Sequence, residues 1–146
     1  MSHIYLLSPS SAVRDKGALR RGVKRLEAAG HQVEVDAHAL NRDTRFAGTD
    51  TERLAAIKRA AASGADTVMT TRGGYGLSRL LPALPYKAIA KSIDKGTHWV
   101  GFSDFTAFSL AVMTKTQRVT WAGPAVVEDF GALDGVDEIT NLCFDD

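Results

Sequence analysis

Residues 97–114 read THWVGFSDFTAFSLAVMT: an apolar run, a glycine-led bend and a helix-forming stretch in immediate succession. Trp99 and Val100 suit a buried strand, Gly101 to Asp104 a tight turn, and Phe105 to Thr114 a helix folding back on the strand. The same unit recurs upstream. Strand-like segments at His3–Ser8, Gln32–Asp36, Asp66–Thr71 and Thr97–Phe102 alternate with helical ones. That alternation predicts an α/β fold: an open, mainly parallel sheet with helices on both faces, a three-layer sandwich of the flavodoxin-like or class I amidotransferase-like kind.

The helices carry their own punctuation. The first is expected from Gly17 to Ala29, with Leu19, Val23 and Leu26 at three-to-four spacing and Gly30 as a left-handed stop. Thr49 and Glu52 form a capping box that opens the second, which runs through Ser63 and closes at Gly64. Pro82 and Pro85 split the stretch from Tyr75 to Ile93 into two short helices. A fourth helix is expected over Asp104 to Thr116, and a fifth strand over Arg118 to Trp121 before the Gly123-Pro124 turn. Residues 1–130 thus read as one α/β domain bearing a candidate nucleophile. The periodic run through Val136, Ile139, Leu142 and Phe144 starts an amphipathic segment without a closing signal. Residues 131–146 are accordingly read as the start of a linker or helix towards a carboxyl-terminal domain absent from the chain.

Composition narrows the partners. The 146 residues carry 18 basic and 17 acidic side chains, a formal net charge of +1, and these are scattered without blocks. No footprint for nucleic acid or an anionic membrane results. Cys143 is the single cysteine, which excludes an internal disulfide and a cysteine-based zinc site. With no signal segment and no apolar run of about 18 residues, the reading is cytoplasmic. No grouping of His, Cys, Asp and Glu has a metal-ligand spacing, so neither a metal nor another cofactor is expected.

In an open parallel sheet the reactive groups gather at the carboxyl ends of the strands. The loops Ser8–Ser11, Arg72–Gly76 and Phe102–Asp104 should therefore share one edge. Ser103 sits at the strand-to-helix bend, where a hydroxyl is lifted clear of the sheet and helix-start N–H groups can face a developing oxyanion. It is the candidate nucleophile, and the backbone N–H of Asp104 the natural oxyanion donor. A serine or aspartate here also suits a helix N-cap. Gly73 and Gly74, inside Arg72-Gly73-Gly74-Tyr75-Gly76, can turn successive N–H groups towards one anion. The loop lacks the Lys-Ser/Thr of a P-loop, and Arg79 stands where a dinucleotide fingerprint needs its third glycine. A plain connecting turn is the alternative reading.

A base for Ser103 is missing. At about 3.3 Å per residue His98 lies roughly 16 Å away, at the opposite end of its strand, and His3 and His31 fall at that same end. His38 follows a strand towards the right edge, but in the common order 2-1-3-4-5 three gaps of about 4.8 Å intervene.

Taken together, Ser8-Pro9-Ser10-Ser11, Phe46-Ala47-Gly48-Thr49-Asp50 with Arg53, Arg72-Gly73-Gly74-Tyr75-Gly76 with Arg79-Leu80-Leu81, and Val100 to Ala107 resemble the amino-terminal domain of the LD-carboxypeptidases, or muramoyl-tetrapeptide carboxypeptidases. The resemblance runs through nearly the whole chain. It implies a cytoplasmic serine peptidase of cell-wall recycling that removes the terminal D-alanine from a murein tetrapeptide with a Ser-His-Glu triad. Only the serine maps here, onto Ser103. The implied oxyanion donors fall on the backbone of Asp104 and of the Gly73-Gly74 pair, and the glutamate and histidine would belong to the protein's own carboxyl-terminal domain. The chain alone is then expected to be inactive. Arg72 is the basic group beside the site, suited either to the substrate carboxylate or to a structural salt bridge. One departure is that Trp121-Ala122, without the family's frequent histidine, precede Gly123-Pro124. A related immunity branch hydrolyses peptide–nucleotide antibiotics. The alternatives are a non-catalytic module holding a small anion in the glycine loop and a protein-interaction domain; a homodimer is compatible with either kind of function.

Overall fold

The computed structural model describes residues 1–145. Five strands, β1 (His3–Leu7), β2 (Gln32–Val35), β3 (Thr67–Thr70), β4 (His98–Gly101) and β5 (Trp121–Ala122), form one sheet in the order β2-β1-β3-β4-β5. Every neighbouring pair is parallel. This is the expected α/β architecture, and the strand order is the common one against which His38 is weighed. The central strands are buried on both faces, so their residues alternate between two cores. Tyr5, Leu7, Val68 and Trp99 point into one, and Ile4, Leu6 and Met69 into the other.

The first core is closed by α2 (Asp50–Ala62), a 3₁₀ helix (Leu77–Ala83), α3 (Tyr86–Asp94) and α4 (Phe105–Thr116). Phe108 lies between Trp99 and Phe105, with ring centroids 5.3 and 4.9 Å away. The second core is closed by α1 (Lys16–Ala28) and a π-helical turn (Val126–Phe130), with Phe144 of α5 (Glu138–Asp145) packed against it.

Local chemistry accounts for the helix ends. Asp15 caps α1 by accepting the Ala18 N–H at 2.9 Å, and Gly30 follows its end at φ +92°. The capping box of α2 is formed on both sides, with Thr49 N–H to Glu52 at 2.7 Å and Glu52 N–H to Thr49 at 3.2 Å. The two short helices predicted around the prolines are the 3₁₀ helix and α3.

The first helix and the first four strands differ from expectation by a residue or so at their ends, and two boundaries near the site have a visible cause. The fifth strand is Trp121–Ala122, not Arg118–Trp121, because Gln117 leaves α4 in the left-handed conformation (φ 58°) and Arg118 is taken by Asp94 at 2.9 and 3.0 Å. The backbone reaches β4 only at the Val100–Trp121 register. The fourth helix begins at Phe105, one residue later than expected, with Asp104 in the N-cap position. No helix among the described residues is long and apolar enough to cross a membrane.

Candidate active site

The connections out of β1 and β3 run to opposite sides of the sheet, since β2 lies beside β1 on one flank and β4 beside β3 on the other. Such a reversal opens a crevice at the carboxyl edge. The segments Ser8–Ala12 and Arg72–Gly76 meet there, and the β4–α4 turn lies next to them. Side chains tie them together. Ser8 Oγ donates to Ala39 O at 2.7 Å and lies 2.6 Å from Thr71 Oγ1, while the buried Ser11 accepts the Tyr75 N–H at 2.9 Å.

Ser103 stands at φ +63°, one of three non-glycine residues in the left-handed region among the described residues. A side chain there costs about 1–2 kcal/mol relative to ordinary helical backbone. The bend is held from both sides: Gly101 has Phe105 and Thr70 where a Cβ would be, at 2.7 and 2.9 Å, and the Thr106 N–H donates to Ser103 O at 3.1 Å. The Ser103 side chain is exposed, and among the described residues its hydroxyl has no hydrogen-bonded partner. The N-cap position belongs to Asp104, so the capping role weighed for Ser103 is not taken up. Asp104 makes no side-chain cap either. Its carboxylate accepts the Ser10 hydroxyl at 2.8 Å and the Leu77 N–H at 3.3 Å.

The glycine loop comes against Ser103 directly. A Cβ on Gly73 would meet Ser103 Cβ at 2.6 Å, and one on Gly74 (φ +120°) would meet Ser11 Oγ at 2.2 Å. Among the described residues, the N–H groups of Gly73, Gly74 and Asp104 donate to no protein acceptor. Gly73 stands against Ser103, Gly74 is next to it in the loop and Asp104 follows Ser103 in the chain, so free N–H donors lie on segments beside an exposed serine at a strained bend.

Arg72 reaches behind this loop. Its Nη1 donates to Ala12 O at 3.3 Å, and its Nε, buried and without a hydrogen-bond partner, is 3.5 Å from Glu128 Oε1. The π-helical turn brings Glu128 to this edge through the Val127 N–H to Thr71 O bond of 2.9 Å. Partial burial pushes the Glu128 carboxyl up, against the opposing pull of Arg72. Arg53 is fully buried and spans two of the loops, donating to Pro9 O and Gly76 O at 2.9 Å each and to Asp50 at 2.6 Å. Burial pushes its pKa down and Asp50 opposes that.

The histidines lie elsewhere. His3 and His98 pair with the amino ends of β2 and β3, and His31 packs on Phe144. His38 lies beyond the far strand β2, 3.1 Å from Arg59. No group of three or more His, Cys, Asp or Glu among the described residues could hold a metal ion. Sequence reasoning named Ser103, Asp104, Arg72 and the glycines, which the structure brings to one edge, and did not name Glu128 or the clasp of Ser10 on Asp104. The first had no local signal. The second joins residues 94 positions apart.

The family model described as LD-carboxypeptidase N-terminal domain matches residues 4–123. A putative carboxypeptidase of Streptomyces coelicolor is 33% identical over 144 residues, covering 96% of this chain and 43% of the relative. The microcin C7 self-immunity protein MccF of Escherichia coli is 31% identical over 138 residues, covering 94% and 39%. Among solved structures, the muramoyltetrapeptide carboxypeptidase from Oxalobacter formigenes superposes with a TM-score of 0.86 at 35% identity, covering 98% of this chain and 46% of that one. MccF in complex with aspartyl sulfamoyl adenosine gives 0.88 at 29% identity, covering 97% and 42%. The chain spans about two fifths of the length of these curated relatives.

Proposed function

The chain belongs to the LD-carboxypeptidase family, and from that premise we propose that it is the nucleophile-bearing domain of a cytoplasmic serine carboxypeptidase that releases the terminal D-alanine of murein tetrapeptides in cell-wall recycling. The observation that carries this reading is Ser103: an exposed hydroxyl at φ +63° between β4 and α4, with Gly73 of the glycine loop packed against it.

Ser103 Oγ attacks the scissile carbonyl and loses its proton to a histidine, and the N–H groups hold the oxyanion so formed. Collapse breaks the C–N bond, and the histidine returns the proton to the departing D-alanine amine. Water then hydrolyses the ester. The histidine and its glutamate partner belong to the carboxyl-terminal domain, to which residues 131–146 lead. Arg72, at the end of β3, offers its remaining guanidinium N–H groups to the substrate's terminal carboxylate.

A second substrate class is favoured by one observation: the structural relative at TM-score 0.88 was solved with aspartyl sulfamoyl adenosine, the kind of aminoacyl–nucleotide conjugate an immunity hydrolase would cut. The deciding experiment measures D-alanine release from a murein tetrapeptide, and cleavage of aspartyl sulfamoyl adenosine, by the full-length gene product, its Ser103→Ala variant and the 146-residue chain. D-Alanine release by the full-length wild type alone is the expected result. Cleavage of only the nucleotide conjugate would move the protein to the immunity branch, and inactivity on both would leave the anion-binding module.

A further inference from the structure

Asp104 faces two loops at once. Its Oδ1 accepts the hydroxyl of Ser10, which is 1% exposed, at 2.8 Å, and its Oδ2 accepts the Leu77 N–H at 3.3 Å. Leu77 is the first residue after Gly76, so this second bond seizes the glycine loop where it leaves the site. Ser11, the neighbour of Ser10, holds the same loop at its middle through the Tyr75 N–H at 2.9 Å. The loop carrying two candidate oxyanion donors is therefore tethered at both points to elements that converge on the residue following Ser103. An ordinary N-cap would spend the carboxylate on the first turn of its own helix, and Asp104 makes no such bond.

We propose that the Asp104 carboxylate, with Ser10 as its partner, is a positioning residue: it sets the gap between Ser103 and the N–H groups of Gly73 and Gly74. The inference rests on Ser103 being the nucleophile and is independent of which acyl substrate is cut. Two donors converge on one carboxylate, so both oxygens are used. Removing the side chain releases the loop, and a loop adrift by about 1 Å costs on the order of 100-fold in rate. Asparagine can keep both contacts, because the Ser10 hydroxyl can turn round to accept from its amide.

The test takes Asp104→Ala, Asp104→Asn, Ser10→Ala and the double alanine variant of the full-length protein. With the substrate that the wild type cuts, Asp104→Ala should lower kcat roughly 10- to 100-fold with KM within about twofold, and Asp104→Asn should restore most of it. Ser10→Ala should add little on the Asp104→Ala background. Unchanged kcat with a lowered melting temperature, or losses that simply multiply, would overturn the proposal. Failure of the wild type to release D-alanine would count against the murein reading alone. The clasp is then read by amide NMR of the 146-residue chain, where Asp104→Ala, or Ser10→Ala should that variant not fold, must shift the Gly73 and Gly74 amides and deprotect the hydrogen-bonded Leu77 amide. Unchanged amides would refute it.

Discussion

A Cβ placed on Gly73 would stand 2.6 Å from Ser103 Cβ and 3.0 Å from Ser103 Oγ. Gly73 is not among the glycines of positive φ, so the obstacle to alanine there is contact, chiefly with Ser103 and also with Phe102 O at 3.2 Å. Gly73→Ala should therefore force the nucleophile and the glycine loop apart. We expect kcat/KM of the full-length protein to fall by about 100-fold, with about 1–3 kcal/mol lost in urea unfolding. Unaltered kinetics would show that the close approach has no catalytic purpose.

Strain at Ser103 has a stability signature of its own. With φ at +63°, Ser103→Gly relieves the left-handed penalty and Ser103→Ala does not. Strain therefore predicts an alanine variant close to wild type and a glycine variant about 1 kcal/mol above it. A helix N-cap predicts a different pattern, with alanine about 1 kcal/mol below wild type and glycine close to it. Thermal unfolding of the three chains separates the two.

Arg53 is the largest buried charge at this edge, with its Nε unpartnered and its other nitrogens on Pro9, Gly76 and Asp50. Arg53→Met should cost about 1–3 kcal/mol for each of the two loop carbonyls that loses its donor, and Phe46 loses the guanidinium 4.9 Å from its ring. A loss below about 1 kcal/mol would mean that the loops hold each other without it.

Acid should find Asp36. Burial alone would raise its pKa, but two hydrogen bonds from Arg59 at 2.8 and 2.9 Å, with others from Tyr5 and the His38 N–H, outweigh burial and leave it lowered. A lowered folded-state value means a contribution present above the unfolded pKa of about 4 and lost as pH falls through the folded one. Asp36→Asn should cost about 1–3 kcal/mol near pH 7. Its deficit in urea unfolding should shrink below about pH 4, and a constant deficit would place the cost in packing instead.

Much of the site was legible because its signals are local. The capping box at Thr49 and Glu52, the stop at Gly30 and the bend at Gly101 to Ser103 each depend on residues within a few positions, and each appears where it was read. Parallel strands followed from the alternation of strand and helix, and with them the exclusion of the histidines at the amino edge, whereas the exclusion of His38 used the common strand order that the sheet has. The exit from α4 was misread because Arg118 is diverted by Asp94, 24 residues away.

By itself, then, the sequence determined the α/β sandwich, the shared edge of three loops and the serine at its bend, since hydrophobic period, glycine freedom and capping are short-range physics. Only the tertiary structure decided that the Asp104 carboxylate grips Ser10 and Leu77 rather than its own helix, and that Arg72 faces Glu128. Which partner a polar side chain takes depends on the groups that folding brings within about 3 Å, and along the chain those groups lie tens of residues apart.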